Sequence, residues 1–263
     1  MSQRLNSQAE AIIVTGAGQG IGFATAQLLH EKTDAHIVCL DRTQKKGLGE
    51  SVAQFLASDR TSYYQCELRE YEKVSQIVKE IAANSVGIAG LAHCAGVLQM
   101  GELTELSPKQ FEETFAINTG AMWWITSRVG NEMKKRKKGS IVAVTSNAGT
   151  TPRIAMGAYC ASKAAATMII KTLGLELAKY GVRCNSVSPG STLTPMQEAM
   201  WKTGSTEEGV ITGDLDNFRI GIPIGKLAKP SDIAGTIEFL LSPAANHITM
   251  HDLRVDGGAT LDS

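Results

Sequence analysis

The sequence predicts an α/β protein, a single doubly wound parallel sheet of about seven strands with helices on both faces. Strand and helix signals alternate from Ala11 onward, a glycine-rich loop joins the first strand to the first helix, and a Tyr-x-x-x-Lys pair lies on a later helix. We expect strands at about 11–15, 35–40, 61–67, 88–93, 139–145, 182–188 and 250–255. We expect helices at about 20–31, 44–58, 70–83, 108–135, 157–180 and 231–241.

The first loop, from Gly16 to Gly22, reads Gly-Ala-Gly-Gln-Gly-Ile-Gly. A strand–loop–helix unit of this kind places backbone N–H groups and the positive end of a helix against a pyrophosphate. Asp41 ends the next apolar run, where a carboxylate binds the two hydroxyls of an adenosine ribose and repels a 2′-phosphate. The sequence therefore predicts a Rossmann-type site for NAD rather than NADP, and Arg42, directly after Asp41, softens that preference.

The later helix carries Tyr159 and Lys163, whose side chains share one face because they are four residues apart. A free tyrosine has a pKa of about 10, and we expect the neighbouring ammonium to lower it, so that Tyr159 acts as a general base. Ser146 supplies a hydroxyl for the oxygen of the reacting alcohol or carbonyl. A lone Tyr-x-x-x-Lys pair is more often a packed tyrosine beside an exposed lysine, but the glycine loop and Asp41 favour catalysis.

The segment from Pro189 to Pro230 carries turn residues and short helical pieces but no predicted strand. Long insertions at the carboxyl ends of parallel strands usually cover a ligand. We therefore expect a substrate lid at about 190–228, the alternative being a surface excursion without function.

Bulk properties exclude several classes of protein. The 263 residues carry 26 acidic and 26 basic side chains, which indicates neither a nucleic-acid nor a membrane partner. The polar N-terminus lacks a signal peptide and no apolar run would span a bilayer, so we expect one soluble cytoplasmic domain over residues 1–263. The five cysteines form no C-x-x-C pair, so neither a zinc site nor a disulfide framework is predicted.

Two further features have simple structural explanations. His247 and His251 have a spacing that suits a metal on a helix, but they precede a strand and no third ligand is in sight, so no metal is predicted. The basic run at 133–138 ends a helix, where it favours the helix dipole and solubility more than nucleic-acid binding.

Motifs along nearly the whole chain resemble the short-chain dehydrogenase/reductase family. They are Thr15-Gly-x-x-x-Gly-x-Gly22, Asn118, Ser146, Tyr159-x-x-x-Lys163, and Pro189-Gly190 with Thr194 after it. The resemblance implies that Lys163 also binds the nicotinamide ribose and that Asn118 holds a water which relays protons from the lysine. The implied catalytic residues are Asn118, Ser146, Tyr159 and Lys163. The implied cofactor-binding residues are Gly16, Gln19, Gly20, Ile21, Gly22, Asp41, Glu67, Leu68, Ala95, Gly96, Tyr159, Lys163, Pro189, Gly190, Thr192 and Thr194.

Two positions depart from the family pattern. His93 stands in His-Cys-Ala-Gly where the family usually has Asn-Asn-Ala-Gly, so the role of His93 is open. Glu67 stands where the family usually has an aspartate that binds the adenine amino group, and its longer side chain leaves that role open as well.

Several loops resemble more closely a subgroup that oxidises 2,3-dihydro-2,3-dihydroxybenzoate in the synthesis of catecholate siderophores; they lie at 151–156, 181–185, 188–192, 221–226 and 247–258. This resemblance implies a cyclohexadiene diol carboxylate as substrate, deprotonated by Tyr159 at its C3 hydroxyl. It also implies a homotetramer, with the last helix and strand at one interface, and docking to a downstream siderophore enzyme. The alternatives are an NAD-linked enzyme for a sugar, steroid or acyl-thioester alcohol, and a non-catalytic cofactor-binding protein.

A carboxylate substrate needs a cation, and Arg153 is the candidate because a guanidinium binds a carboxylate bidentately. The alternative is a surface arginine or one paired with a neighbouring subunit. The expected substrate-binding residues are Ser146, Arg153, Tyr159, Gln99 and Gln197, with Thr192 as a further contact. An apolar wall around the ring is expected from Met100, Met156, Met196 and Met200, unless these methionines are core filler.

Overall fold

The computed structural model describes residue 5, residues 7–201 and residues 206–261. Its seven strands form one parallel sheet in the order β3-β2-β1-β4-β5-β6-β7. They are β1 (Glu10–Thr15), β2 (His36–Asp41), β3 (Thr61–Gln65), β4 (Gly87–His93), β5 (Gly139–Val144), β6 (Val182–Pro189) and β7 (Asp252–Val255). The predicted fold class is confirmed, and the strand order reverses between β1 and β4.

The helices of the described chain cover both faces of this sheet. They are α1 (Gly20–Lys32), α2 (Glu50–Phe55), α3 (Tyr71–Ala83), α4 (Pro108–Phe115), α5 (Met122–Arg136), α6 (Gly157–Leu177), α7 (Pro195–Trp201), α8 (Glu207–Thr212) and α9 (Pro230–Leu241). Because side chains alternate along a strand, Ile13 of β1 packs with α3, α5 and α6, while Ile12 and Val14 pack with α1 and α9. Each such buried aliphatic side chain contributes about 1.5–3 kcal/mol of hydrophobic free energy.

The expected continuous helix at 108–135 is wrong in its middle, because a π-helical turn, Ala116–Ala121, separates α4 from α5. The helix begins as expected, with a capping box between Ser107 and Gln110 and Pro108 in the first turn. A π turn adds one residue to a helix, and the spacing of apolar residues in the sequence does not reveal it. The turn contains Asn118 and therefore sets the direction of that side chain.

Smaller differences concern helix length and the lid. The expected helix at 44–58 is reduced to a 3-10 turn, Lys45–Gly47, and the short α2. In the lid, α7 and α8 are the described helices, and residues 202–205 lie between them outside the described part of the chain. The N-terminal residues 1–4 used in the signal-peptide argument also lie outside it.

The basic run ties secondary-structure elements together. Arg136 and Lys138 contact the Glu10 carboxylate at 2.7 and 3.1 Å, which joins the end of α5 to the start of β1. Among the described residues, no group of three or more His, Cys, Asp or Glu side chains is placed to hold a metal ion. In the same residues, no helix has both the length and the apolar character needed to cross a membrane.

Candidate active site

The carboxyl ends of the strands open into a cavity of about 450 Å³. Residues after β1, β2, β4, β5 and β6 line it together with the start of α6 and part of the lid. It lies where the strand order reverses between β1 and β4, the place where open α/β sheets bind their ligands. The cavity is therefore the candidate active site.

The glycine loop prepares the start of α1 for an anion. Gln19, the N-cap residue, forms no side-chain cap, and the first turn contains no acidic residue. The first N–H groups of the helix are therefore left without a side-chain acceptor beside the cavity. Gly16 adopts a φ of +64°, and a Cβ at Gly22 would overlap its carbonyl group. These features fit a dinucleotide pyrophosphate.

The side chain of Asp41 is held beside this loop by two backbone N–H groups. One carboxylate oxygen accepts a hydrogen bond from the Gly18 nitrogen and the other from the Thr43 nitrogen, both at 2.9 Å. A Cβ at Gly18 would lie 2.9 Å from the Asp41 carboxyl carbon, so only glycine permits this approach. Asp41 lines the cavity with its carboxylate held in one orientation, as binding to the two hydroxyls of a ribose requires.

The next strand contributes Glu67 and Leu68 to the same cavity. The Glu67 carboxylate forms an ion pair with Arg69 at 3.2 Å, so one of its oxygens already has a partner within the protein. Its role toward an adenine ring stays a prediction.

His93 has a structural explanation that the sequence left open. Its Nδ1 lies 3.0 Å from the Thr15 hydroxyl, which also accepts hydrogen bonds from the Cys94 and Ala95 nitrogens. Burial lowers the pKa of His93 to about 3, with a smaller effect of the Lys163 charge, so the imidazole is neutral. His93 and Thr15 therefore join the ends of β1 and β4 beneath the cavity.

Asn118 and Gln99 are not among the residues that line the cavity. The Asn118 amide donates to the Val97 carbonyl and accepts from the Val97 nitrogen, both at 2.9 Å, and also donates to Ser162 at 3.1 Å. The Gln99 amide donates to Glu113 at 3.3 Å. The Asn118 side chain thus positions the loop after β4, while its part in a proton relay and the contact of Gln99 with substrate stay predictions.

The predicted proton-transfer residues Ser146, Tyr159 and Lys163 are all buried and line the cavity. Ser146 follows β5 and hydrogen-bonds with the Tyr159 side chain. Lys163 lies one turn further along α6, with its Nζ 5.7 Å from the centre of the tyrosine ring, and donates to the Val144 carbonyl at 3.0 Å. The hydroxyls of Ser146 and Tyr159 and the ammonium of Lys163 thus lie in one part of the cavity.

The predicted lowering of the Tyr159 pKa is wrong for the protein without ligand. Burial raises the pKa of Tyr159 to about 12, and the hydrogen bond with Ser146 offsets only part of this. Burial also lowers the pKa of Lys163 to about 8, because the low-dielectric interior disfavours its charge. Sequence reasoning considered the attraction between the two groups but not the desolvation of each.

Arg153 and Gln197, the predicted substrate contacts, both line the cavity at the end beyond Tyr159, which is called the substrate end below. The Gln197 side chain is buried, and its Nε2 has no hydrogen-bond acceptor among the described residues. Thr192 also lines the cavity, but its hydroxyl donates to the Gly190 carbonyl at 3.1 Å. The remaining predicted cofactor contacts, Gly16, Gln19, Gly20, Ile21, Gly22, Ala95, Gly96, Pro189, Gly190 and Thr194, line the cavity as well.

The predicted apolar wall is present in part. Met156, Met196 and Met200 line the cavity, whereas Met100 packs behind it against the same cluster as Tyr159. Thioether side chains form a flexible apolar surface that suits a planar ring.

Comparison with known protein families identifies the chain. The short chain dehydrogenase family matches residues 10–204, which is most of the sequence. The chain belongs to this family. The cavity thus holds the serine, tyrosine and lysine that the family resemblance had implied as catalytic residues.

Relatives within the short-chain dehydrogenases cover nearly the full length of the chain. A 2,3-dihydro-2,3-dihydroxybenzoate dehydrogenase of Bacillus subtilis is 45% identical, covering 94% of this chain and 95% of that protein. The vibriobactin-specific enzyme of that name from Vibrio cholerae is 42% identical, covering 95% and 96%. The solved structure of ElxO with NADP bound has a TM-score of 0.86 at 25% identity, covering 97% of this chain and 100% of that one.

The sequence reasoning missed a charged residue of the cavity. Arg219, in the lid, lines the cavity together with Arg153. The lid sequence contains several basic residues, and none of its local patterns indicates which of them faces inward.

The buried Lys163 leads to a stability prediction. Its pKa is lowered from 10.5 to about 8 in the folded protein, so the charged form is disfavoured by folding. Below pH 8 this cost is fully present, and it disappears as the pH rises to 10.5. We expect Lys163→Met to abolish turnover. At pH 7 it should also stabilise the cofactor-free protein and so raise its thermal unfolding temperature. The expected gain in the free energy of unfolding is about 1–2 kcal/mol after the lost hydrogen bond to Val144 is subtracted.

Calorimetry of the cofactor-free protein from pH 7 to 10.5 measures this effect, with the exposed Lys109→Met as the control. The stability that Lys163→Met gains over wild type and control should shrink as the pH rises toward 10.5, because the folded wild type then holds Lys163 without its charge. A lower unfolding temperature for Lys163→Met at pH 7 would show that burial of this ammonium costs nothing.

Proposed function

We propose that the protein oxidises 2,3-dihydro-2,3-dihydroxybenzoate to 2,3-dihydroxybenzoate with NAD, as a step in siderophore synthesis. The observation that carries the proposal is one cavity in which a dinucleotide groove, a Ser–Tyr–Lys group and an arginine-bearing end are continuous. The relatives named for this reaction cover nearly the whole chain and so support the assignment.

The chemistry follows from the position of each side chain. Tyr159 accepts the proton of the C3 hydroxyl, and Ser146 donates a hydrogen bond to the same oxygen, which stabilises the charge that develops there. Bound oxidised NAD would supply the acceptor for the C3 hydride and a positive charge that favours the phenolate. In the resulting ketone the C2 carbon gives up a proton and the C3 oxygen gains one, which forms the catechol, so the substrate releases one hydride and one proton overall.

Asp41 is the residue that favours NAD. The neighbour ElxO binds NADP, so membership of the fold does not by itself choose the cofactor. We expect the wild-type enzyme to prefer NAD and Asp41→Ser to lower kcat/KM for NAD by about 10- to 100-fold, since two hydrogen bonds to the ribose are lost. NADP should gain, because Arg42 also lines the cavity and would then face the 2′-phosphate without a competing carboxylate.

Steady-state kinetics with both dinucleotides measures the change, and Asp41→Ser/Arg42→Ser is the matched control. The control should lose the gain with NADP. An unchanged ratio of the two kcat/KM values in Asp41→Ser would contradict the role of Asp41.

Turnover with a substrate panel tests the proposed substrate. The panel contains the dihydrodiol acid, glycerol and D-threitol, because dehydrogenases for the last two are 32% and 33% identical to this chain. We expect the dihydrodiol acid to exceed the others in kcat/KM by several orders of magnitude, through binding of its ring and carboxylate. A preference for a simple polyol would replace the proposed substrate and keep the fold and cofactor.

Four further proposals concern the surroundings of the site. We propose that residues 190–228 act as the substrate lid and that the enzyme works in the cytoplasm, where NAD is available.

We propose a homotetramer with α9 and β7 at one interface, because β7 ends the sheet and its outer edge lacks a neighbouring strand in the described chain. Sedimentation at micromolar concentration tests this state, and a monomer would refute it. Docking to the enzyme that consumes the product is proposed on the siderophore resemblance alone.

A further inference from the structure

Two arginines from separate segments of the chain line the substrate end of the cavity. Arg153 lies in the loop between β5 and α6, and Arg219 lies in the lid, more than sixty residues later. Arg219 donates to the Met156 sulfur at 3.5 Å, and Met156 packs in the same buried cluster as Tyr159. The guanidinium of Arg219 is therefore close to the reacting end of the cavity rather than to the ribose end.

Asp256 and Asp214 act on Arg153 and Arg219 at longer range, but neither carboxylate is bonded to an arginine. Among the described residues, neither arginine forms an ion pair. The nearby Asp214 is bound through both oxygens by Asn217, at 3.2 and 2.7 Å. Asp256 accepts hydrogen bonds from Asn147, Thr260 and Gly258 instead.

The two positive charges also oppose each other. The pKa of Arg153 is lowered, first by burial and then by the charge of Arg219. A thioether is a weak acceptor, so the contact with Met156 leaves most of the Arg219 donors for another partner. Like charges held at one half-buried place without an ion-paired carboxylate indicate that the bonded anion comes with a ligand.

The backbone of the lid positions Arg219. Asp214 and Arg219 form a pair of backbone hydrogen bonds at 2.8 and 2.9 Å, which closes a short turn. Gly213 and Gly221 flank this turn with positive φ angles, and a Cβ at Gly213 would lie 2.7 Å from the Arg219 carbonyl oxygen. The turn thus presents Arg219 to the cavity in a defined conformation.

We propose that Arg153 and Arg219 together bind the ring carboxylate of the substrate, and that Arg219 is the lid residue that selects an acid over a neutral diol. The inference rests on the proposed function, because it assigns the substrate carboxylate of that reaction. A carboxylate held from both sides would draw the lid turn toward α6 and place C3 beside Tyr159.

The test compares binding of 2,3-dihydroxybenzoate with binding of catechol, which lacks the carboxylate, to the complex of the protein with NADH. Quenching of NADH fluorescence gives both dissociation constants for wild type, Arg153→Gln, Arg219→Gln and Arg219→Lys. Lys226→Gln is the matched control, since Lys226 is an exposed cation of the same segment that does not line the cavity.

We expect each glutamine variant to bind the acid about 10- to 100-fold more weakly with little change for catechol, because a charge-assisted pair is lost. Arg219→Lys should be intermediate, since an ammonium keeps the charge without the bidentate fork. KM for the dihydrodiol acid should rise in parallel, while NADH affinity and the control stay as in wild type.

An unchanged preference for the acid in Arg219→Gln, with NADH still bound, would overturn the two-arginine site and leave the proposed reaction intact. If the wild type binds the acid selectively through both arginines but does not oxidise the dihydrodiol acid, the site stands and the proposed reaction fails. If the wild type neither prefers the acid over catechol nor turns the substrate over, both are overturned.

Discussion

Tyr159→Phe should lower kcat by about 10²- to 10⁴-fold, because the substitution removes the only atom of this side chain that can accept the substrate proton. The ring itself stays in place, since Tyr159 is buried in a cluster with Ala148, Met156 and Met200 that a phenyl group also fills. We therefore expect the fold and NADH affinity to be retained. Stopped-flow absorbance of NADH measures the chemical step, and fluorescence titration measures cofactor binding.

A tyrosine remote from the cavity provides the control. Tyr180 ends the 3-10 turn Ala178–Tyr180 beside Lys134, well away from the cavity lining, and Tyr180→Phe should keep wild-type turnover. Turnover near the wild-type value in Tyr159→Phe would show that another group takes the proton.

Gly22→Ala should disable the cofactor loop. A Cβ at this position would overlap the Gly16 carbonyl and lie 3.0 Å from the Thr15 carbonyl oxygen. The loop cannot retreat easily, because Gly16 already has a positive φ and lies against Ala95. Overpacking of this kind costs about 1–3 kcal/mol, and we expect NADH affinity to fall by about tenfold or more, since the N–H groups of the loop move away from the pyrophosphate.

Gly49→Ala is the control, because Gly49 has a φ of −62° and a Cβ there would meet no atom within 4 Å. This variant should keep the wild-type NADH affinity, since Gly49 does not line the cavity. Calorimetry and fluorescence titration of both variants separate the two effects. Wild-type NADH affinity in Gly22→Ala would mean that the loop adapts and that glycine is not required there.

Much of this enzyme follows from local sequence patterns. The alternation of apolar runs predicts the parallel sheet, since strands covered on both faces need continuous apolar side chains, as in β2. The glycine loop and Asp41 predict the cofactor groove, because close backbone approach requires glycine and a ribose requires a carboxylate. Both predictions depend on neighbours in sequence.

The remaining features depend on contacts distant in sequence. The π turn directs the Asn118 side chain to the backbone of Val97, and one inserted residue leaves no periodic signature. The pKa of Tyr159 depends on how deeply α6 is buried, and the inward direction of Arg219 depends on a turn closed by the lid itself. Desolvation and loop packing are properties of the folded chain that spacing does not encode.

The most direct test of the proposed reaction uses substrate with deuterium at C3, oxidised NAD and the purified protein. Mass spectrometry of both products follows the label. We expect 2,3-dihydroxybenzoate and reduced NAD in equal amounts, with the deuterium in the dinucleotide, and the same products formed at least about 10²-fold more slowly in Tyr159→Phe. Deuterium released to water, or no catechol acid formed while NAD binds, would contradict hydride transfer from C3 at this site.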